Sequence, residues 1–331
     1  MESFSNYSFN FSHSFSYAAL AFQTMFMSTY FPGYWYASVL NESFGKLGNI
    51  VEQLKERALK IKVVQPQLSN LYENCKFIIN DNKDPNVGTI YIGLSRVKGI
   101  GDKAASALNT LFDIKFKSFD EFINHLTENK LTAINKRALI TMANIGMFDS
   151  FKLSRQEARA KILLIKEKNN YRVVTEHLEG KRPKYRLMTI EEAMEKDAED
   201  NKITDTFFYI SEVEALGIGF SNNPSVKLNK KLMQLRMNPK IKDSKDYDAG
   251  LVSKILEKTT KTGKKYFFLQ IDSLSHGNMD IFLWEQDIKK IGLAMISSID
   301  KYDMVVFCAK KNSWGSGDTY NMKALIKVEG D

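Results

Sequence analysis

The apolar residues of this chain change their spacing part of the way along, and that change requires a fold of two unlike parts. From Ala249 onward they alternate with polar residues, so that segments 251–259, 266–272, 280–284, 304–309 and 320–328 read as strands, with a short helix over 285–291 between the third and the fourth. Short, closely spaced strands with one apolar face bury that face best by curling into a small barrel. The residues before Ala249 recur mostly at helical intervals. A multidomain α+β chain is therefore expected, helical first and barrel last.

At 331 residues, 44% of them hydrophobic, the chain has material for two or three domains. The formal charge of +8 and the pI near 9.1 fit a polyanionic partner, because lysine and arginine gain by releasing counterions condensed on phosphate. A basic surface with no such partner satisfies the same numbers. Two cysteines, Cys75 and Cys308, and four scattered histidines form neither a disulfide framework nor a zinc spacing, and a reducing cytoplasm is the expected setting. Residues 3–41 contain no Lys, Arg, Asp or Glu. Interleaved Ser, Asn, Gln and Thr and the break at Pro32-Gly33 argue against membrane insertion. A buried helix over 13–30 is expected instead, with Phe15, Ala19, Phe22, Phe26 and Tyr30 on its apolar stripe and Ser12 as N-cap.

Residues 40–62 read as a second helix through Leu47, Ile50, Val51, Leu54 and Leu59, ended by extended chain before Pro66. Apolar runs at 75–79 and 89–94, parted by polar residues 80–86, predict a β-hairpin. Val97-Lys98-Gly99-Ile100-Gly101-Asp102-Lys103 has the form of a helix-hairpin-helix turn. Glycines there admit a tight turn and a close phosphate, the next helix offers free N–H groups, and Lys98 and Lys103 add charge. A plain helix-turn-helix connection has the same glycines. Helices over 119–126 and 135–143 lead to Gly146, where a second phosphate contact and a helix C-cap are both open. Beyond it, helices are expected over 155–169 and from 190 to 198, the latter with Glu191, Glu192 and Glu195 on a solvated face.

Taken in order, several of these elements resemble one family. Residues 7–18, with Asn10, Ser12 and His13, followed by Gln23-Thr24 and by Tyr30-Phe31-Pro32, resemble the fingers segment of the bacterial DNA polymerase III alpha subunit, the C-family replicative polymerase. The glycine turn at 97–105, the Gly146-Met147-Phe148-Asp149 turn, the Leu216-Gly217 linker and the 249–268 hairpin resemble its later elements in the same order. The resemblance divides the chain into fingers-like helices with a β-hairpin (1–94), tandem helix-hairpin-helix (95–151), a charged helical linker region (152–248) and an OB-fold (249–331). It departs at Phe11, where the family has Lys, and at Asn222 and Asn223, where it has Gly and His.

The resemblance implies a part of a nucleotidyltransferase in DNA replication. Asn10, Ser12 and His13 would lie near the incoming nucleotide, and Lys98, Gly99, Gly101, Lys103 and Gly146 would grip the primer-template duplex. The catalytic palm, with its aspartates and two Mg2+ ions, precedes these elements in the family. A palm-bearing chain is therefore an expected partner, as in a split polymerase of a phage or mobile genome, and neither a catalytic residue nor a cofactor is assigned to this chain. A non-catalytic DNA-binding accessory protein is the alternative. In an OB-fold, single strands lie across the second and third strands on aromatic side chains and a basic groove. Phe267, Leu269 and Ile271 share one face and Phe268 and Gln270 the other. The stacking set is expected to be Phe268, Phe282 and Trp284, with Lys261, Lys264 and Lys265 supplying charge and Trp314 as a further candidate. Asp246-Tyr247-Asp248 alternates as a metal site might, without a third ligand. Residues 67–72 resemble peptides that dock on a sliding clamp, and a plain extended segment fits there equally.

Overall fold

The computed structural model describes residues 11–42, 47–80, 84, 86–176, 183–204, 206–238, 244–312 and 319–328. The chain opens with three helices, α1 (Phe11–Tyr30), α2 (Pro32–Glu42) and α3 (Leu47–Glu56). Ser12 thus lies inside α1 rather than capping it. The helix read over 40–62 is in fact the end of α2, then α3, then a strand. Ala58 at φ 50° and a bond from Leu59 N–H to Leu54 O close α3, and the β-branched run that follows pairs instead of continuing the helix.

That run is β1 (Ile61–Val64), which lies parallel to β3 (Gly88–Tyr91), and β2 (Lys76–Ile79) lies antiparallel on the other side of β3. The hairpin seen in the sequence is therefore two strands of a three-stranded sheet. Next come α4 (Asp102–Asn109), α5 (Phe119–Glu128), α6 (Lys136–Asn144) and α7 (Arg155–Lys166), shorter at its C-terminal end than the sequence suggested. Ser118, Asn135 and Ser154 cap α5, α6 and α7 through side-chain oxygens, Ser154 in a full capping box with Glu157. One apolar core runs from Tyr36 through Leu71, Ile90, Leu94, Phe122, Leu139 and Phe148 to Ile162.

A two-stranded ribbon, β4 (Arg172–Glu176) with β5 (Lys184–Leu187), projects before α8 (Ile190–Asn201). A buried ion pair holds α8 to α7: Arg159 Nε and Nη2 donate to the two oxygens of Asp197 at 2.7 and 2.8 Å. Helices α9 (Phe207–Leu216) and α10 (Asn229–Arg236) then lie on the barrel, Tyr209, Ile210 and Val213 against Leu251, and Leu228 and Leu232 against Ala249 and Val306.

The barrel consists of β6 (Tyr247–Thr259), β7 (Lys265–Ser273), β8 (Gly277–Leu283), β9 (Met304–Lys311) and β10 (Thr319–Val328), with α11 (Glu285–Ile291) and α12 (Leu293–Ser297) between β8 and β9. It closes in the order β10-β8-β7-β6-β9, and only the β8–β10 pairing is parallel. This is the OB-fold arrangement. Its interior is filled by Val252, Leu269, Ile271, Ile281, Leu283, Val305, Phe307 and Met322. Among the described residues no helix is long and apolar enough to cross a membrane.

Candidate nucleic-acid interface

The strand period decides which aromatic residues of the barrel face out. Phe267, Leu269 and Ile271 point into the core, at 8, 0 and 0% exposure, so Tyr266, Phe268 and Gln270 point outward. Register sets Phe268 opposite Phe282, and the rings pair at 5.3 Å. Phe282 and Trp284 lie nearly parallel, 11° apart with centroids 5.8 Å apart, and Tyr266 stacks on Trp284 at 5.1 Å. Trp284 is held upright by its indole N–H, which donates to Asn321 Oδ1 at 2.9 Å across the parallel β8–β10 seam. The three aromatic residues named from the sequence thus form one outward cluster with a fourth, Tyr266. Strict alternation from Phe268 would have found it.

The charge around the cluster is distributed differently from the sequence expectation. Lys265 is paired with Glu257 at 2.6 Å, and Lys261 and Lys264 are exposed in the turn that joins β6 to β7. Lys258, not singled out beforehand, places its ammonium 5.2 Å from the centroid of Phe268. Ring faces with a cation beside them can stack on planar bases and attract the backbone that links them. Trp314 lies outside the described residues.

At the first glycine turn the two glycines do different work. Gly99 has φ 109°, and a Cβ there would lie 2.6 Å from Thr141 Oγ1 on α6, so this glycine is needed to close one hairpin on the other. Gly101, exposed at the N-cap of α4, has open space where its Cβ would be. The amides that begin α4 have no acceptor inside the helix, which leaves them able to meet an anion. Lys98 and Lys103 are exposed on either side, while the Lys98 backbone N–H is tied to Ala215 O at 2.9 Å. Gly146 also has positive φ, 76°, but it is buried. A Cβ there would strike Asp149 Oδ2 at 2.4 Å and Arg155 Nη2 at 2.5 Å. An anion reaching that turn would have to displace this ion pair.

Arg155 continues inward, donating to Glu212 Oε1 at 2.7 Å. Glu212, fully buried, accepts through Oε2 from the Phe220 and Ser221 amides at 2.7 and 2.8 Å and from the Ser221 hydroxyl at 2.9 Å. Glu212, four residues before Leu216-Gly217, is therefore a buried joint between the second hairpin and the segment entering the barrel. Asp248 likewise serves structure, accepting from Ser273 Oγ and, at 3.0 Å, from Ser275 Oγ, with His276 Nδ1 3.2 Å away. Among the described residues no group of three or more His, Cys, Asp or Glu is placed to hold a metal ion.

Of the fingers-like residues, Ser12 and His13 lie on α1. Asn10 lies outside the described residues. Ser12 and His13 are exposed in the first turn of α1, the His13 ring 4.5 Å from that of Tyr17. No residue of α1 is buried, and Phe15, Phe22 and Met25 are 64, 70 and 68% exposed.

A family model described as a helix-hairpin-helix motif matches residues 60–158. Over 307 residues the chain is 26% identical to the DNA polymerase III subunit alpha of Helicobacter pylori strain J99, a match covering 87% of this chain and 25% of that protein. The subunit of the same name from Vibrio cholerae is 24% identical over 88% of this chain and 25% of its own length. That of Campylobacter jejuni is 30% identical over 46% of this chain and 12% of its own. The chain thus spans about a quarter of the length of the relatives that it matches most extensively. The resemblance to the C-terminal part of the alpha subunit holds, across both halves of the fold.

Proposed function

We propose that this chain is a DNA-gripping part of a replicative polymerase of the polymerase III alpha type. It holds primer-template duplex at the first hairpin, through Gly101, Lys98 and Lys103, and single-stranded template on the outward face of the barrel. The observation that carries the reading is the joining of an open, basic glycine turn and an aromatic barrel face in one molecule, each with the geometry that its task needs. Contact at the hairpin would be with backbone phosphate and indifferent to sequence, since amides and lysines read charge and not base edges. Contact at the barrel would be by stacking, which every base permits.

Nucleotidyl transfer in the complete enzyme would use two Mg2+ ions on palm carboxylates. The described residues do not fit such a site, so the reading gives the metals to a palm-bearing partner and derives no step through them. The exposed aromatic residues of α1 favour docking on such a partner, because surface of this kind on a free module invites association. In that setting Ser12 and His13 would approach the incoming nucleotide, and a sliding clamp would be a further partner. Primer extension tests the reading: purified chain, palm-bearing protein from the same source, and the two mixed, with magnesium and deoxynucleotides. Synthesis that requires the mixture supports it. DNA binding without any synthesis in the mixture would favour an accessory protein that keeps only the grips.

A further inference from the structure

A cleft of 480 Å³ lies where the first hairpin, the end of α9 and the barrel meet. Arg96 and Lys98 line it from the hairpin side, Lys254, Gln270 and Asn278 from the barrel side, and Lys301 from the segment before β9. Its one carboxylate, Glu214, is neutralised by Lys301 at 2.8 Å. Arg96, Lys98 and Lys254 have no ion pair among the described residues. The remaining potential is positive and sits between two elements, where field lines concentrate.

Strand register ties this cleft to the aromatic cluster. Lys258 pairs with Tyr266, Leu256 with Phe268 and Lys254 with Gln270, and on the other side Phe268 pairs with Phe282 and Gln270 with Asp280. Successive outward rows therefore begin at the stacked rings and end, about 13 Å further along β7, at Gln270 and Lys254 on the lip of the cleft. Across the cleft stands the turn that leads to Gly101.

We infer that the cleft seats the sugar-phosphate backbone of a single DNA strand where it passes between barrel and hairpin, so that the chain recognises a duplex–single-strand junction as one continuous site. The inference rests on the DNA-gripping reading and adds to it the path between the grips. Arg96 and Lys254 neutralise phosphates there, while Gln270 and Asn278 offer hydrogen bonds to sugar or base edges.

Fluorescence anisotropy with the full chain and three probes tests this: a blunt duplex, a single strand, and a duplex with a 5′ overhang. The wild type is expected to bind the overhang probe most tightly. The double variant Arg96→Ala/Lys254→Ala is expected to lose about tenfold on that probe, to change less than about twofold on the blunt duplex, and to show a salt slope shallower by about 1.4, two single-strand phosphate contacts. Circular dichroism checks that the variant folds, and Lys254→Gln, a single exposed change, provides a second reading of the same loss. Unchanged overhang binding, or an equal loss on blunt duplex, overturns the inference while leaving the two-grip reading intact. Wild-type chain that binds none of the probes overturns both.

Discussion

Gly99 and Gly101 stand two residues apart in one turn and answer to different demands. A side chain at Gly99 meets both a left-handed backbone and Thr141, so Gly99→Ala is expected to cost about 1–3 kcal/mol in a denaturant melt. Gly101→Ala has room and an extended backbone, so stability should fall by about 1 kcal/mol or less while duplex affinity falls through crowding of the phosphate approach. Equal losses of stability in the two would refute the division of labour. Arg159 presents the opposite case, a cation 3% exposed whose partner Asp197 is 1% exposed. Arg159→Ala strands a buried carboxylate and is expected to cost about 3–5 kcal/mol, read as a shifted urea midpoint. Both glycines were visible in the sequence as a turn. Only the neighbour across the turn separates their roles.

On the scale of an element, the barrel face and α1 carry the functional claims. Phe282 and Trp284 pack against each other outside the core, so truncating them should spare the fold. Trp284→Ala and Phe282→Ala are each expected to weaken single-strand binding by about 1–3 kcal/mol, with the thermal midpoint little changed. A fall in affinity matched by collapse of the melt would mean a structural role only. For α1, Phe15→Ser and Phe22→Ser should leave the isolated chain within about 0.5 kcal/mol of wild type, since these side chains are exposed. The same changes should weaken association with a palm-bearing chain in analytical ultracentrifugation. The five strands were readable because period two is a local property, and so was the α1 stripe. That no residue of α1 is buried among the described residues is not a local property.

Across the whole molecule, α9 links the hairpins to the barrel. Glu212 faces Arg155 on one side, and the Tyr209 hydroxyl donates to Asp272 of β7 on the other, with Asn223 Nδ2 also donating to it at 3.3 Å. Burial pushes the Asp272 carboxyl up to about 6, opposed in part by the Tyr209 hydrogen bond. A carboxyl whose pKa is raised on folding binds protons more readily in the folded state. Its contribution is therefore most favourable below the unfolded value near 4 and is lost as pH rises through about 6. Asp272→Asn keeps an acceptor for Tyr209 and removes this titration, so its stability relative to wild type should improve by on the order of 2 kcal/mol between pH 4.5 and 7.5. Thermal melts across that range decide the matter, and a difference constant with pH would refute it.

The amino-acid order determined what depends on near neighbours. Alternation placed five strands and separated Phe267, Leu269 and Ile271 from Phe268 and Gln270. Ser118, Asn135 and Ser154 bounded α5 to α7 at their N-termini, and paired glycines marked the first hairpin. Tertiary structure decided what depends on distant chain coming together. It turned residues 61 and 62 from helix into a strand beside β3, covered Gly146 with Arg155 and Asp149, and buried Glu212 as a joint. It also set Arg96 and Lys254 on opposite walls of one cleft. Side-chain period and turn chemistry act over a few residues, where sequence and space coincide. A cleft between two domains is made of residues more than a hundred positions apart, and only packing brings them within reach of one another.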